Sequence, residues 1–439
     1  MSNPREVALK ILFKIDYEGA YSNLALKDGL SGLNGQDRAF ATRLVYGCVS
    51  MKITLDYIIS LYSSVKLKKL SKSVTEILRL GIYQIMYMDK VPESAAVNES
   101  VKLIKKYENR SRGFVNAILR KVADNKDNIS FPKDKTENIM VRFSFPKPLC
   151  EKIIKEFGFS EGSQLIEALS KEPQTFIRVN RLKTSRDELV KRLSQNGVNI
   201  ASYADLEDAA VISGADIGSL DEFKNGYFTV QDIAAQLACK VLSPKKNEKV
   251  IDMCAAPGGK TTYLAELMEN AGNILAFDIH PHKIKLIEDG AERLGIDIIN
   301  ACAADMSVFK KSMTETADKI LVDVPCSGAG IIRRKPDIKW NMEDVGTLSN
   351  IQTSLLKNAI SYLKPGGELV YSTCTVFKEE NENVINSVLS EHENIETVDI
   401  TDLLPDKFKK ASAKDGYITL LPHVDGTDGF FICKLRKKK

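Results

Sequence analysis

The sequence predicts a multidomain chain: an all-α module over residues 1–130, a small α+β linker unit over 131–230 and a doubly wound, Rossmann-like α/β domain over 231–439. Three observations predict this division. A chain of 439 residues is too long for one ordinary hydrophobic core. Its first 125 residues carry apolar side chains at helical spacing. Beyond residue 231, short continuous apolar runs alternate with helical patterns, as parallel strands covered on both faces require.

In the first module, Val74, Ile77, Leu78 and Ile85 fall on one helical face together with Gly81, where a missing side chain would admit a neighbouring helix. Pro92 suits the first turn of the next helix, whose stripe is Val97, Val101 and Ile104. Charge is unevenly distributed. Residues 1–135 hold 23 Lys and Arg against 14 Asp and Glu, whereas the remaining 304 hold 39 against 44. The cluster Lys102, Lys105, Lys106, Arg110, Arg112, Arg120 and Lys121 is denser than solubility needs, and phosphate contact is the expectation.

Residues 124–135 form a polar linker interrupted by Pro132. The second unit contains TFIRVN, a β-like run leading into a basic helix. Seven basic and three acidic residues between 171 and 192 make a second RNA-contacting surface one reading and a solvated edge the other. In the third domain the runs KVIDM, ILAFD, INACA, KILVDV and ELVYST are the expected strands. YITLLPHVDGTDGFFICKLRK is expected to close the domain as an antiparallel edge pair around a loop at 425–429.

The first of these strands runs into Cys254, Ala255, Ala256, Pro257, Gly258, Gly259 and Lys260, followed by a helix. Small residues there let backbone N–H groups approach a ligand, and the helix N-terminus favours a carboxylate or other anion. The Walker pattern fails at its first glycine, where Cys254 stands, and the dinucleotide pattern G-x-G-x-x-G does not fit. Acids recur at the next strand ends. Asp278, 19 residues past Gly259, is placed for ribose hydroxyls, Asp305 for an adenine amino group, and Asp323 closes the fourth strand. Three carboxylates repel phosphate, so the pocket prefers S-adenosylmethionine to ATP or NAD.

Asp323-Val-Pro-Cys326 and Ser372-Thr-Cys374 follow the fourth and fifth strands, so both thiols and Asp323 should meet in one crevice at the carboxyl ends of the sheet. This set suits methylation of cytosine carbon 5, a poor nucleophile until a thiolate adds to carbon 6. An acidic group beside ring nitrogen 3 would neutralise the developing charge. Position alone does not decide which cysteine attacks.

DMCAAPGGKT, DVPCSGAG with RRKPDIKW, and YSTCT resemble the motifs of the RNA cytosine-C5 methyltransferase family, over about the last half of the chain. PREVALKIL, TRLVYG, LRLGIYQI and RGFVNAILR resemble the helical NusB-like RNA-binding module, and the combination is similar to the bacterial 16S rRNA cytosine-C5 methyltransferases. The resemblance implies a class I methyltransferase domain using S-adenosylmethionine, with Cys374 as nucleophile, Cys326 assisting product release, and Asp323 touching the base near the cofactor. For Lys260 it leaves open whether the ammonium orders a carboxylate, favours the thiolate or caps the loop. The substrate cytosine would have to leave any stack. A non-catalytic RNA-binding assembly factor, or an enzyme acting on tRNA or DNA, are the alternatives.

The eight cysteines lack any Cys-x-x-Cys pair, and His280, His282, His392 and His423 are not clustered, so neither disulfides nor a metal is expected. Trp340 is a candidate lining of the base pocket, with core packing the stronger expectation. With no long apolar run and no signal-peptide pattern at the start, a cytoplasmic, monomeric protein without a membrane partner is expected.

Overall fold

The computed structural model describes residues 3–439, which divide into two compact units. One comprises the chain up to Lys171 together with Ile332–Asn341; the other comprises Glu172–Ile331 and Met342–Lys439.

The first unit is helical: α1 (Pro4–Glu18), α2 (Ser22–Gly29), α3 (Gly35–Ser50), α4 (Lys52–Tyr62), α5 (Lys72–Tyr87), α6 (Glu93–Tyr107), α7 (Arg112–Asp124), α8 (Lys135–Phe143) and α9 (Lys147–Ser170). Side-chain caps start several of them: Asn34 Oδ1 accepts the Asp37 N–H and Ser71 Oγ accepts the Val74 N–H. Helix α9 is broken at Gly158, whose φ of 77° is left-handed. Helix α5 is the hub, buried on every side from Val74 to Ile85. Gly81 is where α7 approaches: a Cβ there would lie 2.7 Å from Leu119 Cδ2. Pro92 precedes α6 as its cap rather than entering its first turn.

Buried within this unit, Arg79 makes a paired contact with Asp56 (Nε–Oδ1 2.7 Å, Nη2–Oδ2 2.8 Å) and also binds Asp16 and Glu76. The returning segment Ile332–Asn341 packs here as well. Ser22 bonds Asp337 through both its N–H and its hydroxyl. The Lys339 ammonium donates to the carbonyls of Ser50 (2.9 Å), Ser144 (3.1 Å) and Phe143 (3.4 Å), at the ends of α3 and α8. Trp340 Nε1 donates to Val49 O at 3.0 Å. Trp340 is therefore part of the helical unit's packing, its indole N–H satisfied by the last turn of α3.

The second unit begins with a four-stranded antiparallel sheet, in the order β2-β3-β1-β4, built from β1 (Thr175–Val179), α10 (Arg186–Gln195), β2 (Asn199–Ser202), β3 (Ala209–Ser213), α11 (Asp221–Lys224) and β4 (Phe228–Val230). The α/β part follows: α12 (Ile233–Leu242), β5 (Lys249–Asp252), α13 (Gly259–Leu267), β6 (Asn273–Asp278), α14 (Pro281–Leu294), β7 (Ile299–Ala303), β8 (Ala317–Asp323), α15 (Val345–Tyr362), β9 (Leu363–Thr373), α16 (Glu382–Glu391), β10 (Ile395–Thr397), β11 (Tyr417–Leu420), α17 (Pro422–Asp425) and β12 (Phe430–Lys437).

These strands form an eight-stranded sheet in the order β10-β12-β9-β8-β5-β6-β7, with β11 also on β12. Strands β5 to β9 pair in parallel, and β12 runs antiparallel to its neighbours. Alternate residues serve opposite faces. Val250, Leu321 and Val370 join the core under α12 and α13, while Ile251, Ile320 and Leu369 join the core under α15 and α16. The expected terminal antiparallel pair is present as β11 and β12, but β12 is not an edge strand: it is interior, flanked by β9 on one side and by β10 and β11 on the other. Its inward residues Phe431, Cys433 and Leu435 are as apolar as those of the central strands, which suits an interior position. From β5 the chain steps outward to β6 and β7 and returns to β8 on the other side of β5, so the topological switch point lies between β5 and β8.

Candidate active site

The loop after β5 leaves the sheet at this switch point. Ala255 N–H donates to Phe277 O, and Ala256 N–H donates to Asp278 Oδ2 at 3.3 Å. Gly258 has φ 104°, and a Cβ there would lie 3.1 Å from the Ile287 backbone of α14, so only glycine lets the loop lie this low. Asp278 closes β6 and is fixed from its own loop too, where Oδ1 accepts the His280 N–H at 3.0 Å. Asp305 follows β7 and is held by the Ser307 N–H and hydroxyl at 2.9 and 2.6 Å. The expected pocket acids therefore stand on the loops after β6, β7 and β8, and of the three only Asp323 is shown bonded to a cation, Lys260. That donor set fits a neutral nucleoside better than a phosphate.

A fourth acid, Asp252, escaped the sequence reading. It is fully buried at the end of β5, accepts the Thr261 hydroxyl at 2.7 Å, and is pushed by burial up to about 7. The more consequential omission is Arg178 on β1. It is fully buried and reaches the loop after β5 directly, donating to Gly259 O and Gln231 Oε1 at 2.6 Å each and to Glu266 Oε1 at 2.7 Å, with its guanidinium over the Tyr263 ring. The basic run at 171–192 is thus partly internal. Lys183 binds the carbonyls of Asn225 and Arg293, and Arg186 those of Tyr203 and Leu206. The only sequence signal was the type of residue: arginine inside a β-like apolar run needs a buried partner.

Across the crevice, Asp323 ends β8. Its Oδ2 accepts from the Lys260 ammonium at 2.7 Å and its Oδ1 from the Ser372 hydroxyl at 2.7 Å. Burial works against the charge on Lys260, but the Asp323 carboxylate outweighs it and holds the ammonium above its ordinary range. Because β8 and β9 pair in register at Asp323 and Ser372, the loops after them run side by side. The sulfurs of Cys326 and Cys374 lie 3.0 Å apart, and the Cys374 N–H donates to Cys326 Sγ at 3.3 Å. Both cysteines are half-buried. The hydrogen bond to Cys374 first, then burial, raises the Cys326 thiol well above its usual range. Cys48, Cys239 and Cys433 are buried and raised mainly by burial, as structural thiols are, whereas Cys302 is exposed.

Residues 239–436 match the family "16S rRNA methyltransferase RsmB/F", residues 2–124 the NusB family, and residues 145–216 the ferredoxin-like domain of RsmF/B-like methyltransferases. The chain is 37% identical, over 99% of its length and 98% of the relative's, to the probable ribosomal RNA small subunit methyltransferase B of Bacillus subtilis. The chain belongs to the RsmB/F family of 16S rRNA methyltransferases. A Synechocystis relative of the same description is 35% identical over the whole of both chains. Among solved structures, a methyltransferase homolog protein from Pyrococcus horikoshii is 32% identical with a TM-score of 0.60, covering 70% of this chain and all of that one. NSun6 from the same organism, crystallised with SFG, is 25% identical with a TM-score of 0.58, covering 67% of this chain and 99% of that one. As an RsmB/F methyltransferase the chain uses S-adenosylmethionine, and its substrate is RNA. Among the described residues no single helix is long and apolar enough to cross a membrane.

Proposed function

We propose that this methyltransferase modifies carbon 5 of a cytosine in 16S rRNA, with Cys374 attacking carbon 6. The observation that carries this reading is the pair of sulfurs 3.0 Å apart at the mouths of adjacent strands, beside the Lys260–Asp323 ion pair. Methylation of an exocyclic amine or a ribose hydroxyl needs no thiol, and a structural pair of free thiols has no reason to face the cofactor loop.

The residues 254–260, with Asp278 and Asp305, would hold S-adenosylmethionine, which when bound supplies the methyl group. Asp323 would accept the N–H groups on the polar edge of the cytosine, with the Lys260 ammonium at 2.7 Å aiming its carboxylate. The Cys374 thiolate adds to carbon 6 as ring nitrogen 3 takes up a proton from solvent. A sulfur–carbon bond forms, and the π pair of the 5,6 bond is released to carbon 5, which takes the methyl group. Loss of the carbon-5 proton to water then re-forms the 5,6 double bond, expels the Cys374 sulfur as thiolate and returns the nitrogen-3 proton. The Cys326 S–H, held 3.0 Å away, hydrogen-bonds the departing sulfur and eases this last step.

The helical unit is proposed as the RNA-contacting module. Three of its clustered cations are engaged in exposed ion pairs: Lys102 with Glu99, Lys106 with Glu6 and Arg110 with Glu108. Such pairs are worth little, so exchange for phosphate is inexpensive. The division into domains at 130 and 230 is likewise proposed as the functional partition. The mechanism is tested by Cys326→Ala, which should accumulate a protein–RNA adduct stable in denaturing gels. Normal turnover with no adduct would contradict the release role.

A further inference from the structure

Behind the two cysteine loops lies a buried polar cluster that the chemistry above does not use. Glu380 and Asn381 sit just before α16 and are fully buried. The Glu380 carboxylate accepts the Ser327 N–H at 2.8 Å, the Ser327 hydroxyl at 2.5 Å and the Gln352 amide at 3.1 Å. Gln352 in turn donates to Pro325 O at 3.0 Å, so the residues on both sides of Cys326 are tied to one carboxylate. Asn381 does the same for Cys374: its Oδ1 accepts the Thr373 hydroxyl at 2.6 Å and its Nδ2 donates to Thr375 O at 3.3 Å. The hydroxyls of Ser327 and Thr375 meet at 2.9 Å and join the two loops.

The charges around the sulfurs are asymmetric. A full negative charge, Glu380, is bonded to the residue following Cys326. The cation of the site, Lys260, raises no such penalty on the Cys374 side and interacts favourably with that thiolate. The other groups facing the pair are Asp323, which is neutralised by Lys260, and the Tyr371 hydroxyl, which donates to Glu380 O. The N–H groups of Cys374 and Gly328 point at the Cys326 sulfur and act in the opposite sense. They are dipoles, whereas Glu380 is a buried full charge. They also fit a sulfur that accepts two N–H bonds while giving its own S–H to Cys374.

We propose that Glu380 is a positioning residue that fixes the Pro-Cys326-Ser loop and keeps the proton shared by the two sulfurs on Cys326, leaving Cys374 as the nucleophilic thiolate. The proposal rests on the cysteine chemistry above and explains its division of labour by a residue outside both motifs.

Thiolates, not thiols, are alkylated, so iodoacetamide labelling of the full-length protein with peptide mass spectrometry reads the proton's position without requiring turnover. In the wild type Cys374 should label about tenfold faster than Cys326 below the pH at which both ionise. Glu380→Gln keeps the shape and removes the charge. It should bring the two rates within about threefold of each other and lower kcat at unchanged KM. If that variant does not fold, Ser327→Ala removes one contact to the carboxylate and should narrow the ratio partway. An unchanged labelling ratio in the folded variants, with 5-methylcytidine still produced, overturns the role of Glu380 alone. A wild type that makes no 5-methylcytidine overturns the underlying reading instead.

Discussion

Arg178 carries more of the site than its position in the sequence suggests. A fully buried guanidinium opposite a fully buried Glu266 is an ion pair with no water to relieve either partner if the other is lost. Replacing Arg178 with Met should cost about 3–5 kcal/mol and lower the unfolding temperature. Because Arg178 also holds Gly259 O, the variant should lose most of the thermal shift that S-adenosylhomocysteine gives the wild type. Calorimetry with and without that ligand separates the two effects, and a full ligand shift in a destabilised variant would assign Arg178 to the core alone. In the sequence this residue was one of seven cations in a basic run, because linear charge density does not distinguish a cation facing solvent from one aimed inward. The strand-end acids and the two motif cysteines were legible because their geometry follows from a single rule, that carboxyl ends of adjacent parallel strands share a crevice. Glu380 was not legible. Its role depends on a 53-residue separation from Ser327 that only the fold closes.

Among the elements, the segment Ile332–Asn341 is the least expected. Its residues read as a continuation of the Pro-Cys motif, yet they pack in the helical unit. Burial alone pushes the Lys339 ammonium down to about 7. The three carbonyls that accept from it lie at the C-terminal ends of α3 and α8, where helix dipoles favour a cation, and the Phe145 ring adds a further cation contact. Lys339→Met would leave those carbonyls without a charged donor. It should destabilise the helical unit by about 2–4 kcal/mol, measured by denaturant unfolding, with Lys339→Arg recovering part of the loss. Equal stability of the wild type and the Met variant would mean that the ammonium is tolerated there rather than needed. Helix periodicity made α5 and α6 readable from the sequence. A segment that leaves one unit, packs in the other and returns has no periodic signature to read.

At the scale of the whole molecule, the acid limb of stability should bear the mark of Glu368 on β9. Burial pushes its carboxyl up, but hydrogen bonds from Lys319, Arg436 and Lys434 outweigh burial and hold it down to about 2. A carboxylate whose folded-state pKa lies below the ordinary 4.5 adds stability above that value and loses it as pH falls toward about 2. Solvent screening at this half-buried site leaves a contribution on the order of 1–2 kcal/mol at neutral pH. Urea unfolding from about pH 7 down to about pH 3 should show a shallower loss for Glu368→Gln than for the wild type, from a lower starting stability. Parallel curves would remove Glu368 from the acid response.

The doubly wound sheet, the loop after β5 at its switch point and the paired thiols support the proposal that Cys374 activates a cytosine ring for methylation at carbon 5. The most direct test is nucleoside mass spectrometry of 16S rRNA incubated with S-adenosylmethionine and either the wild type or Cys374→Ala. The account predicts 5-methylcytidine with the wild type and none with the variant, whose binding of S-adenosylhomocysteine is unchanged. A methyl group on any other atom, or 5-methylcytidine formed equally well without the Cys374 thiol, would contradict it.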